Sequence, residues 1–191
     1  MVESKEDRFK QEVLEKIEKE LFNLDEDITN NKEKFINSYK KQIKEVLDDI
    51  VKSNIEKLGT IAIVLSRVNI DNEDLFYKIY LYGEKMYIDT FENRYKLDVS
   101  DIYKYFLNAK KYLYDNVRKY LGLIEPCNVD AELGSYLKFF NMYIVNLLRE
   151  VFLKEEILEI LNKVNMIEDF FVIQNEFYEK PYLIYKKEKG E

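Results

Sequence analysis

The sequence contains no histidine and only one cysteine, Cys127. Histidine is the usual general base of enzymes and their commonest metal ligand, so its absence removes most catalytic triads and many metal sites. A single cysteine forms neither an internal disulfide nor a cysteine-based zinc site. Cys127 follows Pro126 just ahead of a predicted helix, but its thiol lacks the usual base, and we interpret it as a small apolar turn residue. We therefore predict no catalytic residue, no metal and no cofactor.

Glycine and proline are also scarce, with five and two residues in a chain of 191. Their scarcity indicates few long loops and no flexible linker, and the length fits one domain or one domain with a helical extension. No uncharged run approaches the roughly 18 apolar residues of a membrane-spanning helix. The first residues, MVESKEDRFKQE, lack the apolar stretch of a secretory signal. We expect a cytoplasmic protein that does not contact the membrane.

Charged residues make up 35% of the chain, and 37 acidic residues against 30 basic ones give a net charge of −7. This balance argues against a dedicated nucleic-acid-binding protein, whose binding surface is normally basic. Only residues 100–124 are net positive, with five basic and two acidic side chains. Acidic proteins can mask basic surfaces by electrostatic complementarity, so the favoured partner is another protein, and a basic one.

Residues 59–89 form the only long stretch that is dense in β-branched and aromatic residues. Turn-forming residues divide it into three predicted strands: Ile61–Ile70, Leu75–Tyr82 and Lys85–Thr90. Short connections between them predict an antiparallel β-meander over about residues 60–90, and Arg94–Val99 is a candidate fourth strand. The first strand is apolar on both faces at its start, so we expect it to be central in the sheet.

Two helical segments are predicted before the meander. Ser4 is a suitable N-cap for a first helix from about Lys5 to Leu24, and Asp25–Asp27 then interrupts its apolar stripe. A second stripe follows and stops at Gly59. The pair fits an antiparallel hairpin docked on the rest of the chain, or a coiled-coil arm that forms a homodimer through residues 5–55.

Helices also dominate the sequence after the meander. Ser100 caps a helix that ends near Gly122. A broadly apolar helix, capped by Asn128 or Asp130, follows Pro126, and its pattern continues past Val151 as one kinked helix or as two. Two short strands, Phe170–Ile173 and Tyr182–Tyr185, close the chain as a hairpin that either adds to the meander or stays separate. The prediction is therefore an α+β fold, with residues 1–58 as a helical hairpin or arm and residues 59–191 as the α+β core.

The middle strand of the meander has two different faces. Leu75, Tyr77, Ile79 and Leu81 share one face, whereas Phe76, Lys78, Tyr80 and Tyr82 share the other. Tyrosine is enriched at protein interfaces because one side chain supplies apolar area and a polar tip. We therefore predict a binding patch on the second face, formed by Phe76, Tyr80, Tyr82 and Tyr87. The alternative is that helices cover this face and the rings belong to the core.

Arg67 is the remaining candidate binding residue in the meander. Its position predicts either a clamp for an anionic ligand or a structural ion pair. If Asp89 and Glu92 converged with Arg67 in one concave site, the chain would be an enzyme that uses carboxylates and an arginine, with Mg²⁺ as an optional cation. No further motif accompanies these residues.

The net-positive helix over residues 100–122 gives a second alternative. Its basic residues alternate with tyrosines, and this combination of charge and stacking rings is what single-stranded nucleic acid requires. The basic residues are Lys104, Lys110, Lys111, Arg118 and Lys119. One face of the same helix is apolar, so the rings can equally cover the edges of the core.

Our leading hypothesis is a non-catalytic, intracellular protein-binding module of the inhibitor, immunity or adaptor type. It would act through an acidic, tyrosine-rich surface. The hypothesis depends on the missing catalytic residues, the net charge of −7 and the 16 tyrosines.

Overall fold

A computed structural model describes residues 4–53, 55, 57–66, 70, 74–85, 90–120, 122–176 and 180–187, apart from the side chains of residues 90 and 92–94. The fold is α+β, as predicted. Its helices are α1 (Lys5–Lys52), α2 (Ser100–Asn116), a 3-10 turn (Val117–Tyr120), α3 (Pro126–Gly134), α4 (Leu137–Phe152) and α5 (Glu155–Leu161). Its strands are β1 (Leu58–Leu65), β2 (Phe76–Tyr82), β3 (Thr90–Asp98), β4 (Met166–Glu176) and β5 (Tyr182–Lys186).

The two predicted N-terminal helices form one long helix, α1. Its start is confirmed, because the backbone N–H of Asp7 donates to Ser4 Oγ at 3.1 Å and the Ser4 hydroxyl donates to the Asp7 carboxylate at 2.6 Å. The predicted interruption at Asp25–Asp27 is wrong, since these residues are helical. The non-helical dihedrals lie instead at Asn31, with φ −128° and ψ 25°, and they leave a kink without a connecting loop.

The five strands form one mixed, open sheet in the order β3-β2-β1-β4-β5. Pairing is antiparallel between β1 and β2 and between β2 and β3, so the predicted meander is confirmed. β4 and β5 also pair antiparallel, which confirms the closing hairpin and adds it to the same sheet. β1 is central, as predicted, and all eight of its residues are buried. β4 pairs with β1 in parallel because the helices between these strands carry the chain back to the same end of the sheet.

Several strand boundaries differ from the sequence-based ones. β1 begins at Leu58 and ends at Leu65, whereas residues 67–69 lie outside the described chain. The strands predicted at Lys85–Thr90 and Arg94–Val99 are replaced by the single strand β3, and Lys85 lies in a turn. β4 is much longer than the predicted Phe170–Ile173, since its pairing with β1 extends over most of its length.

Gly59 lies in β1 and does not end a helix, which corrects its predicted role. α1 ends at Lys52. A Cβ atom on Gly59 would lie 2.4 Å from the carbonyl oxygen of Gly83, which is closer than real Cβ contacts. Glycine is therefore required here by the close approach of two backbone segments.

The helices after β3 also follow the prediction in part. α2 begins at Ser100, and the 3-10 turn carries the helical segment close to Gly122, which has a φ of 75°. The broadly apolar helix predicted after Pro126 is divided into α3, α4 and α5. The N-cap of α3 is Glu125, not Asn128 or Asp130, and its backbone N–H donates to the Asn128 side chain at 2.8 Å.

The chain divides into two compact units. The first comprises Met1–Lys32 and Ser100–Ile144, and the second comprises Glu33–Val99 and Val145–Glu191. The core of the first unit contains the apolar stripe of α1 together with α2 and α4 side chains: Phe9, Val13, Ile17, Leu24, Ile102, Tyr103, Phe106, Leu113, Phe140 and Ile144. The α1 stripe is therefore already buried within the chain, so a coiled-coil arm would lack its apolar contact surface.

The core of the second unit lies between its helices and one face of the sheet, which we call the inner face. The Phe152 ring of α4 stacks on the Tyr185 ring of β5 with 6.2 Å between centroids. The Gln42 side chain of α1 accepts the Asp98 backbone N–H at 2.7 Å. Inner-face residues of the central strands are buried: Ile61, Ile63, Leu65, Tyr77, Ile79, Leu81, Phe170 and Val172.

None of the helices in the described part of the chain combines the length and the apolar character that crossing a bilayer requires.

Candidate protein-binding surface

The opposite face of the sheet carries the predicted binding residues, and we call it the outer sheet face. Residues that pair across strands share a face, and the pairs Ala62–Tyr80 and Thr60–Tyr82 place both tyrosines beside the small residues of β1. The Tyr80 and Tyr82 rings are nearly parallel, at an interplanar angle of 17° and a centroid distance of 6.4 Å. Phe76 lies further along the same strand and face. Phe76, Tyr80 and Tyr82 are thus brought together and are partly exposed.

The outer sheet face has a shallow trough along β1. Ala62 and Val64 form its floor, and they are only 3% and 5% exposed because larger rings flank them. Tyr80 and Tyr82 border the trough on the β2 side, and Phe171 borders it on the β4 side. Every side chain of this small apolar cluster belongs to a strand, and three of them are aromatic rings that keep part of their surface exposed: Ala62, Val64, Ile173, Tyr80, Tyr82 and Phe171.

The same face extends to both edges of the sheet. On the β5 side, Leu183 pairs with Ile173 and is 49% exposed, a high value for leucine. On the β3 side, the Lys96 ammonium lies over the Phe76 ring, 3.8 Å from its centroid. Lys96 also pairs with the exposed Lys78 of β2. Apolar and aromatic side chains therefore run across the sheet, and on the β3 side they meet the two lysines and the exposed Asp98, which pairs with Phe76.

Two polar atoms within this face lack a hydrogen-bond partner in the described chain. They are the Thr60 hydroxyl oxygen and the Asn175 side-chain oxygen, both with almost no accessible surface. An unsatisfied buried polar atom costs about 1–3 kcal/mol of stability. The trough therefore combines apolar area with polar groups that the strand pairing leaves unsatisfied.

Two of the predicted residues lie outside the described chain, namely Arg67 and Tyr87. Asp89 also lies outside it, as does the side chain of Glu92, so the predicted convergence with Arg67 remains a prediction. Sequence reasoning missed Phe171 and Leu183. Phe171 lies beside β1, and Leu183 lies one strand further out, on β5. Both positions depend on the parallel pairing of β1 with β4, which no local sequence signal shows.

The basic residues predicted on the helix 100–122 lie in the first unit, where three of them form ion pairs within the chain. The Lys104 ammonium lies 3.3 Å from an Asp27 carboxylate oxygen, and that of Lys110 lies 3.2 Å from Asp130. Lys119 is paired with Glu12. Lys111 and Arg118 are exposed or partly so, and no such pair is described for either. Most of the positive charge of this segment is thus neutralised locally.

The interleaved tyrosines bind the same carboxylates. The Tyr105 hydroxyl donates to Asp27 at 2.6 Å, and the Tyr114 hydroxyl donates to Asp130 at 2.5 Å. The hydrogen bond from Tyr105 holds the pKa of the Asp27 carboxyl below its ordinary value. Burial and the same hydrogen bond raise the pKa of Tyr105 well above its ordinary range. These rings are part of the internal structure of the first unit.

Glu12 makes a similar contact with the end of this segment. Its carboxylate accepts hydrogen bonds from Lys119 and from the Tyr120 hydroxyl. Burial alone would raise the pKa of Glu12, but these hydrogen bonds outweigh burial and lower it. The pKa of Tyr120 is raised, first by burial and then by its hydrogen bond to Glu12.

Cys127 is exposed at the start of α3, with its sulfur 3.9 Å from a Glu125 carboxylate oxygen. Within the described residues, no three side chains of histidine, cysteine, aspartate or glutamate lie close enough to hold a metal ion. The outer sheet face is the candidate binding surface on which the predicted residues Phe76, Tyr80 and Tyr82 lie.

Comparisons with protein-family models, with curated proteins and with solved structures found no match for this chain.

Proposed function

We propose that the chain is a non-catalytic protein-binding module of the inhibitor, immunity or adaptor type, which acts in the cytoplasm. Its partner is another protein that docks on the outer sheet face. The observation that carries this proposal is the partly exposed aromatic cluster, whose side chains all come from strands.

Apolar contact supports this proposal more directly than charge does. Tyr80, Tyr82 and Phe171 offer rigid rings beside a trough, and rings of this kind are frequent hot spots of protein interfaces. Leu183 adds exposed apolar area at the β5 side of the same face. The exposed charges beside the rings are of both signs, since Lys78 and Lys96 lie close to Asp98, which pairs with Phe76. Charge alone therefore does not single out a basic or an acidic partner for this face.

A protein partner is favoured over nucleic acid on charge grounds. Nucleic acid binding depends on many lysine or arginine contacts with phosphates, whereas this chain has a net charge of −7. The ion pairs of Lys104, Lys110 and Lys119 further reduce the positive charge available on the helix 100–122. The enzyme alternative depends on Arg67, Asp89 and Glu92 and stays a prediction.

The proposal is tested by affinity capture from lysate of the source cells with full-length wild type, a Tyr80→Ser/Leu183→Ser variant and a Tyr112→Ser variant. Tyr112 is a matched control, since its ring is 42% exposed in the other unit. We expect one stoichiometric protein to be captured by the wild type and the control but lost from the double variant. Capture of that protein by all three variants would show that the outer sheet face is not the binding surface.

A further inference from the structure

A second aromatic surface lies in the first unit, along helices α1 and α4. Phe22 of α1 is 63% exposed, and Phe139 of α4 is 44% exposed. Single exposed apolar residues are common on protein surfaces and need no explanation. The exposure of these two rings requires an explanation only if they lie together.

Interactions between neighbouring residues of α1 and α4 indicate that the two rings lie together. The Tyr143 hydroxyl donates to an Asp25 carboxylate oxygen at 3.3 Å, which fixes one contact between the helices. The charge of Glu18 lies near Tyr136, where it adds to burial and to Glu132 in raising the pKa of that phenol. The hydrogen bond at Asp25 and the electrostatic proximity at Glu18 therefore indicate that α1 lies beside the start of α4 along this stretch.

The two pairs, Glu18 with Tyr136 and Asp25 with Tyr143, have the same spacing on both helices. From Glu18 to Asp25 on α1, and from Tyr136 to Tyr143 at α4, the spacing is seven residues. Seven residues make about two helical turns, so the helices run side by side in one direction. Phe22 lies midway on the first interval and Phe139 on the second. They therefore lie opposite each other across the line where the helices meet.

The charge around these rings is negative. Glu15, Glu18 and Asp25 are exposed on the α1 side, and Glu132 adds a partly exposed carboxylate near Tyr136. The exposed Lys19 lies one turn before Phe22, so carboxylates outnumber lysines but do not surround the rings alone. The Lys138 ammonium lies 5.2 Å from the centroid of the Phe139 ring, so this ring already contacts one cation. We call this area the α1–α4 surface: Glu15, Glu18, Phe22, Asp25, Glu132, Tyr136, Phe139 and Tyr143.

We propose that the α1–α4 surface binds a basic protein segment that also carries apolar side chains, such as a cationic amphipathic helix. The carboxylates complement lysine and arginine, and aromatic faces attract such cations. The Phe22 and Phe139 rings provide the apolar contact. A second copy of this surface would bring like charges together, and nucleic acid would be repelled, so neither fits it.

The probe for this proposal is a fluorescently labelled synthetic helix with leucines on one face and lysines on the other. Its binding to the full-length chain is measured by anisotropy. We expect Phe22→Ser/Phe139→Ser to weaken binding about tenfold or more, because interface aromatics dominate binding energy. Leu153→Ser is the control, since Leu153 is 71% exposed but lies in the other unit, and it should bind as the wild type does. Glu18→Lys should also weaken binding, and added salt should reduce it further.

Equal affinity of Phe22→Ser/Phe139→Ser and Leu153→Ser for the peptide would overturn the proposal. So would equal affinity for a peptide in which glutamates replace the lysines, or a wild-type dimer that is dissociated by Phe22→Ser/Phe139→Ser. The Tyr80→Ser/Leu183→Ser variant separates this surface from the outer sheet face. It should bind the peptide normally, and a loss of binding there would instead place the peptide on the sheet.

Discussion

Tyrosine side chains occupy two different environments in this chain. In the first unit, phenol hydroxyls donate to carboxylates that are distant in sequence, as Tyr105 does to Asp27 and Tyr120 to Glu12. On the sheet, Tyr80 and Tyr82 instead keep part of their rings exposed. The sequence shows where the rings lie along an element, but not which carboxylate meets them. The Lys and Tyr pattern of residues 103–120 therefore resembled a nucleic-acid surface although most of its charges are used internally.

The carboxylates of this unit predict a specific pH dependence. Hydrogen bonds lower the pKa of Glu12 and Asp27 in the folded chain below the ordinary 4.5 and 3.8. Protonation therefore favours the unfolded chain, so their contribution to stability is complete above those ordinary values and is lost as pH falls through the lower, folded ones. We expect the urea concentration at half-unfolding of the wild type to decrease as the pH is lowered below about 5. For Glu12→Gln/Asp27→Asn this concentration should decrease less over the same pH range.

The control for this pH series is Glu26→Gln, which changes an exposed carboxylate on the same helix. Its midpoint should follow that of the wild type at every pH. If the double variant lost stability as steeply as Glu26→Gln at low pH, the hydrogen bonds to Glu12 and Asp27 would not account for the acid response.

At the scale of elements, local sequence signals predicted helix starts and strand faces. They did not predict features that depend on contacts between residues far apart in the chain. Ser4 caps α1 as predicted and α2 begins at Ser100, and the alternation of β2 gives both faces of the meander. In contrast, the kink at Asn31 replaces the expected interruption at Asp25–Asp27. Asp25 and Asp27 remain helical while their side chains bind tyrosines far along the chain, which helical periodicity alone does not show.

Gly59 gives a direct test of the backbone packing in the sheet. Gly59→Ala would force a Cβ atom against the Gly83 carbonyl oxygen, 2.4 Å away, where backbone and not a flexible side chain must yield. We expect a loss of about 1–3 kcal/mol in the free energy of unfolding, as for other overpacked sites. Gly134→Ala is the matched control, because nothing lies within 4 Å of its added Cβ. Urea unfolding of both variants checks this, and equal stability would refute the close approach.

For the whole molecule, composition predicted the class of fold but not how the charges are distributed over the surface. The net charge of −7 favoured an acidic, tyrosine-rich binding surface. In the structure the outer sheet face is aromatic and has both lysines and the exposed Asp98 beside it, whereas carboxylates outnumber lysines around Phe22 and Phe139. Of the candidate binding residues, Phe76, Tyr80 and Tyr82 could be predicted from strand alternation. Phe171 and Leu183 could not, because they join the surface through the parallel pairing of β1 with β4.

The most direct test of the central claim is photo-crosslinking in the source cells, with a benzophenone amino acid replacing Tyr82 in the full-length chain. The same amino acid at Tyr112 is the control. Our account predicts a discrete product with one other protein from position 82, none from position 112, and loss of that product when Leu183→Ser is added. A product from position 82 that contains only a second copy of this chain, or no discrete product there, would contradict it.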